Sequence, residues 1–417
     1  MNKKTVKDVS FAGKKVIMRV DFNVPLQDGR ITDDTRIQAA LPTIKYILDQ
    51  GAALTLMSHL GRPKAKGYEA ELSLKPVAEY LAEVLGKPVQ FAPECLKADA
   101  AVAALKPGQI LMLENTRFEK GEQAKPKTDG LSDDEAAKLK AEYKALQDAM
   151  AAKLASYGDI YVNDAFGTAE RKDASTAIIC KYMRAKGAPS VAGFLMQKEI
   201  DYLSLALEKP QRPFVAIIGG AKVSGKLEVL QNLIRNVDTL LIGGGMAYTF
   251  LKALGHEVAA SLCEDDLLET AKETLAAAKA AGVKFMLPVD NVAADKFDAD
   301  ANTQVVCKNI PAGWMGLDIG PETLKLYAAE IKAAKTIVWN GPMGCFEMAK
   351  FAAGTMGVCK AVADSDAVSI IGGGDSVSAV NQSGLAAKMT HISTGGGASL
   401  AFLSGKELPG CTSLDDK

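Results

Sequence analysis

Histidine is scarce in this chain, with three residues among 417, and that scarcity excludes a multi-histidine metal centre. Seven cysteines, Cys95, Cys180, Cys263, Cys307, Cys345, Cys359 and Cys411, are scattered, odd in number and never spaced Cys-x-x-Cys. That argues against a disulfide framework and against structural zinc, and for reduced, mostly buried thiols. No apolar run approaches the length of a membrane span, and the opening Met-Asn-Lys-Lys-Thr-Val-Lys-Asp lacks the apolar stretch of a signal peptide. A cytoplasmic protein with no membrane partner is the expectation. Neither charge is in excess: 49 Lys and Arg stand against 50 Asp and Glu. Nucleic acid is therefore not an expected partner, and any basic site must be local.

What is present is an ordinary globular composition, 48% hydrophobic and 24% charged, in a length that suits two or three domains. Strand-like runs at 15–20, 54–58, 110–113 and 159–162 alternate with helical spacing at 34–50, where Ile37, Leu41, Ile44 and Leu48 share a face, and at 73–85. A polar stretch at 120–130 reads as a surface insertion whose charges are solvated. After it, Ser132 and Glu135 form a capping box, and Leu139, Tyr143, Leu146, Met150 and Leu154 make a buried stripe. A helical segment at 195–207 ends at Glu-Lys-Pro-Gln-Arg-Pro, and two prolines within four residues mark a boundary. Strands then recur near 214–218, 239–242, 283–287, 336–339 and 368–371. The fold class predicted is α/β: two doubly wound, Rossmann-like parallel-sheet domains, 1–193 and 214–403, joined by an interdomain helix and hinge at 194–213.

Ligands of open parallel sheets bind beyond the carboxyl ends of the strands. In the first half those ends read Arg-Val-Asp-Phe-Asn, Ser-His-Leu-Gly-Arg, Glu-Asn-Thr-Arg-Phe and Asn-Asp-Ala-Phe-Gly-Thr-Ala-Glu-Arg. With Arg36 they gather Arg36, His59, Arg62, Arg117 and Arg171 on one edge, beside Asp21 and Asn23. Any one of these arginines alone reads as a surface ion-pair partner. Their joint placement points to a pocket for a small polyanion, since guanidinium forks hold phosphate and carboxylate in bidentate pairs.

In the second half the strand ends are glycine-rich: 218–222, 242–246, 339–344 and 371–376, with a further run at 395–397. The first reads as a phosphate site in which Gly219-Gly220 turns the chain and Lys222 and Lys226 fall on one face of the following helix's first turns. A Walker A loop is excluded, because Leu227 follows Lys226 where a hydroxyl is needed, and a nicotinamide fingerprint fails because Val377 stands where its third glycine should be. Asp375-Ser376 at a helix start supplies a carboxylate that could meet Mg²⁺ on nucleotide phosphates. A non-enzymatic anion-binding module that uses the arginines alone is the remaining rival.

The runs Arg-Val-Asp-Phe-Asn-Val-Pro, Ser-His-Leu-Gly-Arg-Pro, Asn-Asp-Ala-Phe-Gly-Thr-Ala, Gly-Gly-Ala-Lys-Val, Gly-Gly-Gly-Met-Ala, Trp-Asn-Gly-Pro-Met-Gly and Gly-Gly-Gly-Asp-Ser stand in one order along the chain. In them the chain resembles the phosphoglycerate kinase family over essentially its whole length. The resemblance implies reversible phosphoryl transfer from 1,3-bisphosphoglycerate to Mg-ADP, giving 3-phosphoglycerate and Mg-ATP, by a monomer with a hinge. It implies that Asp21, Phe22, Asn23, Arg36, His59, Leu60, Gly61, Arg62, Arg117 and Arg171 bind the glycerate substrate. Gly220, Ala221, Lys226, Gly244, Gly316, Asn340, Glu347, Gly373, Gly374, Asp375 and Ser376 would hold the nucleotide, with Gly244 and Gly316 near the adenine, Glu347 on the ribose and Asp375 on the metal. The family also returns its C-terminal residues, here 404–417, to the first domain. It commonly carries His where Glu170 stands and a neutral residue or His at Asp173, so here two acids flank Arg171.

The chemistry needs no general base, because the nucleophile is a phosphate or carboxylate oxygen that is already an anion near pH 7. Positioning and neutralisation of the phosphoryl oxygens suffice. Arg36 and Lys222 are the candidate catalytic cations, with helix-start amides near Gly374 and Gly396.

Overall fold

The computed structural model describes residues 1–64 and 67–417, which fall into two compact units: Met1–Ile200 with Glu407–Lys417, and Asp201–Lys406. The division lies inside the helix Phe194–Glu208.

In the first unit, strands β1 (Lys15–Arg19), β4 (Ala53–Met57), β5 (Val89–Ala92), β6 (Ile110–Leu113), β7 (Ile160–Asn163) and β8 (Ser190–Ala192) form a six-stranded parallel sheet in the order β5-β6-β4-β1-β7-β8, beside a small antiparallel hairpin of β2 (Leu26–Gln27) and β3 (Arg30–Ile31). The central strands are apolar on both faces because helices cover both, as in Val16, Ile17 and Met18 of β1, all fully buried. Helix Thr35–Asp49 buries Ile37, Leu41, Ile44 and Leu48. Strands β5 and β8 escape a periodicity reading, one being a half-exposed edge and the other three residues long. The C-terminal residues are tied here: Asp415 accepts from the Lys4 backbone N–H at 2.8 Å, and Leu414 O accepts from Lys3 Nζ at 2.8 Å.

Two expectations for this unit need correction. The capping box at Ser132 and Glu135 forms and opens the helix Asp133–Ala155, but the stripe is buried only at its C-terminal end. Met150 and Leu154 are buried, Leu139 and Tyr143 are half-buried and Leu146 is 39% exposed, so the rest of the unit covers the stripe only towards the end of the helix. Nor is the 120–130 stretch wholly a solvated loop: Glu122 is fully buried, drawn in by a buried arginine described below.

In the second unit, β9 (Phe214–Ile218), β10 (Thr239–Ile242), β11 (Lys284–Met286), β15 (Thr336–Asn340), β16 (Val368–Gly372) and β17 (His391–Ile392) form a parallel sheet in the order β11-β10-β9-β15-β16-β17. Strands β12 (Asp290–Ala294), β13 (Thr303–Cys307) and β14 (Met315–Ile319) make a separate antiparallel sheet that the alternation of strand and helix does not announce.

Candidate active site

Strand order reverses at β1/β7 in the first unit and at β9/β15 in the second, and a doubly wound sheet opens a crevice at such points. The candidate residues gather there. In the first unit the loop after β1 is clamped to the loop after β4: Phe22 N–H donates to Ser58 Oγ at 2.9 Å, and Gly61 N–H donates to Asn23 Oδ1 at 2.7 Å. Arg36, from helix Thr35–Asp49, donates to Asn23 O at 2.9 Å and pairs with Asp21 at 3.4 Å. Arg117 donates to Gly61 O at 2.8 Å, while its Nε is buried with no partner. Burial, then the charge of Arg171, pushes the Arg117 guanidinium down to about 10. Phe22 and Leu60 are themselves buried, so what they offer a ligand is backbone. Arg62 is exposed.

Arg171 is held by both flanking acids, Glu170 and Asp173, each at 3.2 Å. His59 is 3% exposed. Burial first, then the cations Arg19, Arg117, Arg171 and Arg36, hold its imidazole well below the usual histidine range, so it is neutral at pH 7. Arg19 and Glu122, both fully buried behind this cluster, were not picked out as site residues from sequence. A separate cavity of about 670 Å³ beside Phe118, Gly121, Leu146 and Met150 is lined by none of the candidate residues.

In the second unit the β9 and β15 loops meet backbone to backbone. Gly219 N–H donates to Asn340 O at 3.0 Å and Gly220 N–H to Pro342 O at 3.1 Å. A Cβ at Gly219 would collide with Pro342 O, and one at Gly341 with Gly219 O, so the contact requires glycine on both strands. Beside it lies a cavity of about 500 Å³ lined by Gly220, Ala221, Gly244, Gly316, Glu347 and Asp375, with Leu262, Phe297, Met315 and Leu317 as its apolar wall. That mixture of bare backbone, apolar wall and a few carboxylates suits a flat base joined to a charged tail. Lys226 Nζ donates to Asn340 Oδ1 next to this cavity, and burial, partly offset by Asp375, brings its ammonium down to about 8. Helix Gly374–Gln382 starts at Gly374 and helix Gly396–Leu403 at Gly396; a Cβ on Gly396 would lie 3.3 Å from Gly374 N, so the two helix starts adjoin. Ser376 is buried, its hydroxyl accepting from Gly341 N–H at 2.6 Å, while Asp375 is exposed.

One placement differs from the sequence reading. Lys222 and Lys226 do not share a helix face: helix Leu227–Leu233 begins after both, Lys226 is its cap, and Lys222 lies exposed in the preceding loop. Gly220 has φ +121°, Val223 is pinned in the core, and Ser224 is bound through N and Oγ to Glu264, at 3.0 and 2.6 Å. These ties hold the segment as a loop. Asp318 was also missed; it is 1% exposed, accepts from Gly354 N–H at 2.7 Å, and is raised by burial to about 7.

A guanidinium cluster at the strand ends of one doubly wound unit and a glycine-lined cavity with a lysine in the other define a two-domain phosphotransferase. The family model for phosphoglycerate kinase matches residues 6–406. A phosphoglycerate kinase of Chloroherpeton thalassium is 55% identical over 422 residues, covering all of both chains, and one of Clostridium tetani is 52% identical over all of this chain and 98% of its own. The solved phosphoglycerate kinase of Coxiella burnetii superposes with a TM-score of 0.86 at 40% identity, over 99% of this chain and 98% of that one. The chain belongs to the phosphoglycerate kinase family.

Proposed function

We propose that this chain catalyses reversible phosphoryl transfer from 1,3-bisphosphoglycerate to Mg-ADP, giving 3-phosphoglycerate and Mg-ATP, with the three-carbon acid bound by the arginines of the first unit and the nucleotide by the glycine-lined cavity of the second. The observation that carries the site assignment is Arg117: a buried Nε without a protein partner, in a cluster of guanidiniums, is a donor waiting for an anion. The test is a coupled assay for ATP formed from 1,3-bisphosphoglycerate and ADP. Binding of both ligands without ATP formation would leave only an anion-binding module.

No proton needs to be removed from the nucleophile, and the neutral, buried His59 is suited to donating a hydrogen bond rather than acting as a base. Arg36 and Lys222 neutralise the transferring group, and the adjoining amides at Gly374 and Gly396 bind its oxygens. Magnesium travels with the nucleotide and offsets phosphate charge. It keeps most of its water and phosphate ligands, so the single carboxylate of Asp375 suffices on the protein side. No cluster of three or more His, Cys, Asp or Glu able to hold a metal occurs among the described residues.

The enzyme is read as a cytoplasmic monomer that closes on its substrates. The groups assigned to one phosphoryl belong to different units, and the expected behaviour is that they are brought together most fully when both ligands are bound. Small-angle scattering should show more compaction with 3-phosphoglycerate plus Mg-nucleotide than with either alone; an unchanged profile with both present would defeat the hinge. A smaller effect is expected at Arg171, whose charge is shared with Glu170 and Asp173. Glu170→His should tighten 3-phosphoglycerate binding by about two- to threefold, the scale of a partly exposed ion pair, and calorimetry showing weaker binding would count against it.

A further inference from the structure

We infer that Arg19 is a positioning residue that fixes His59 as an Nε2–H donor within the arginine cluster, with buried Glu122 as its counter-charge. The inference rests on the reading that His59 contacts the acid substrate, and it adds how that ring is set.

Arg19 ends β1 and is 0% exposed. Its Nε donates to Ser175 Oγ at 2.8 Å, one terminal nitrogen donates to Val20 O, and the other lies 3.1 Å from His59 Nδ1. A guanidinium has donors only. His59 Nδ1 is therefore the acceptor in that contact, and the single proton of the neutral ring sits on Nε2. Protonating Nδ1 would lose the hydrogen bond and set an N–H against a guanidinium, in a ring that already feels Arg36, Arg117 and Arg171, with Asp21 the opposing charge at 4.0 Å. The ring thus holds one tautomer and one charge state.

A buried guanidinium persists only when compensated. Glu122 supplies the charge 3.8 Å from Arg19, also at 0% exposure. It accepts from Ser175 N at 3.1 Å, Ser175 Oγ at 2.5 Å and Thr116 Oγ1 at 3.0 Å. The Ser175 hydroxyl thus donates to Glu122 while accepting from Arg19. Glu122 follows Arg117 by five residues, so the segment that carries a candidate substrate ligand also carries the counter-charge for the residue behind His59.

The test is ¹⁵N NMR on the full-length protein with labelled histidine, in which His59 need be distinguished only from His256 and His391. Wild-type His59 should be neutral and protonated on Nε2 from about pH 5.5 to 8, a range in which an ordinary histidine titrates. Arg19→Met should let the ring mix tautomers, with burial and the remaining arginines still keeping it neutral, and should weaken 3-phosphoglycerate binding by about tenfold, the loss of one charge-assisted contact. Arg19→Lys should restore the tautomer and most of the affinity. A wild-type ring protonated on Nδ1, or an Arg19→Met ring indistinguishable from wild type, overturns the inference. Should Arg19→Met fail to fold because Glu122 is left unpaired, Arg19→Met/Glu122→Gln removes both charges, and the wild-type spectrum still decides the tautomer. If 3-phosphoglycerate binds and leaves the His59 resonances unmoved while the tautomer is as stated, the reading of His59 as a substrate contact fails and the positioning role falls with it.

Discussion

Lys222→Ala is expected to lower kcat by on the order of 10³-fold with little change in nucleotide affinity, which is the cost of deleting a cation from a phosphoryl clamp. Lys222 lies exposed in the loop that follows β9, at the reversal of strand order in the second unit. The same loop is anchored to Glu264 through Ser224; against the cost of burial, the Ser224 and Val223 hydrogen bonds hold that carboxyl below its ordinary value, and the Lys222 charge adds a smaller pull in the same direction. An exposed ammonium on an anchored loop makes little ground-state contact to lose, but can meet charge that develops on a phosphoryl group in flight. Removing a contact made mainly in the transition state lowers kcat and leaves KM nearly alone, and a 10³-fold loss corresponds to about 4 kcal/mol. Steady-state kinetics and a nucleotide titration decide it. A variant with near-normal kcat would remove Lys222 as the catalytic cation and leave Arg36 to carry that role.

The position of Lys222 also shows where sequence reading stops. Phe214–Ile218 is legible because five apolar residues in a row need cover on both faces, and the same logic finds β1, β10 and β15. Val223, Leu227 and Leu230 stand at helical spacing and suggest a helix from the start of this segment, yet the carboxylate of Glu264, forty residues beyond Ser224, holds the residues before Leu227 as a loop. Strand β13 is almost wholly exposed and β12 reads Asp-Asn-Val-Ala-Ala, so the antiparallel sheet has neither an apolar run nor a clean alternation to betray it. The candidate site is legible where it uses glycine, arginine and lysine at strand ends, which local chemistry marks. It is not legible where it depends on burial: Arg19 reads as one more basic residue in a motif, and Glu122 as one more charge in a polar loop. Their meaning comes from pairing across more than a hundred residues of chain. The same is true of Asp318, whose carboxyl is raised only because the fold encloses it.

Lys226 should respond differently from Lys222, both in kind and in its dependence on pH. Its ammonium is half-buried beside Asn340 and Asp375, and burial has brought it down to about 8. A nucleotide phosphate placed there would favour the charged form, so the bound state has the higher pKa and binding takes up a proton wherever the free lysine is neutral. The sign follows: affinity is full below about pH 8, where the free enzyme already carries the ammonium, and it falls as pH rises through that value towards the pKa of the complex. The steepest loss is tenfold per pH unit, one proton per ligand. Lys226→Ala should weaken ATP binding by about tenfold or more near pH 7, as the loss of a charge-assisted phosphate contact would, with a smaller fall in kcat. It should also flatten the dependence on alkaline pH. Lys226→Arg keeps a cation at every accessible pH and should bind ATP with nearly the same affinity at about pH 7 and 9.5, since a guanidinium does not titrate there. Calorimetry on the three proteins across that range separates the possibilities. An alkaline loss of affinity that persists undiminished in Lys226→Ala would show that another group titrates, and would detach Lys226 from the nucleotide phosphates.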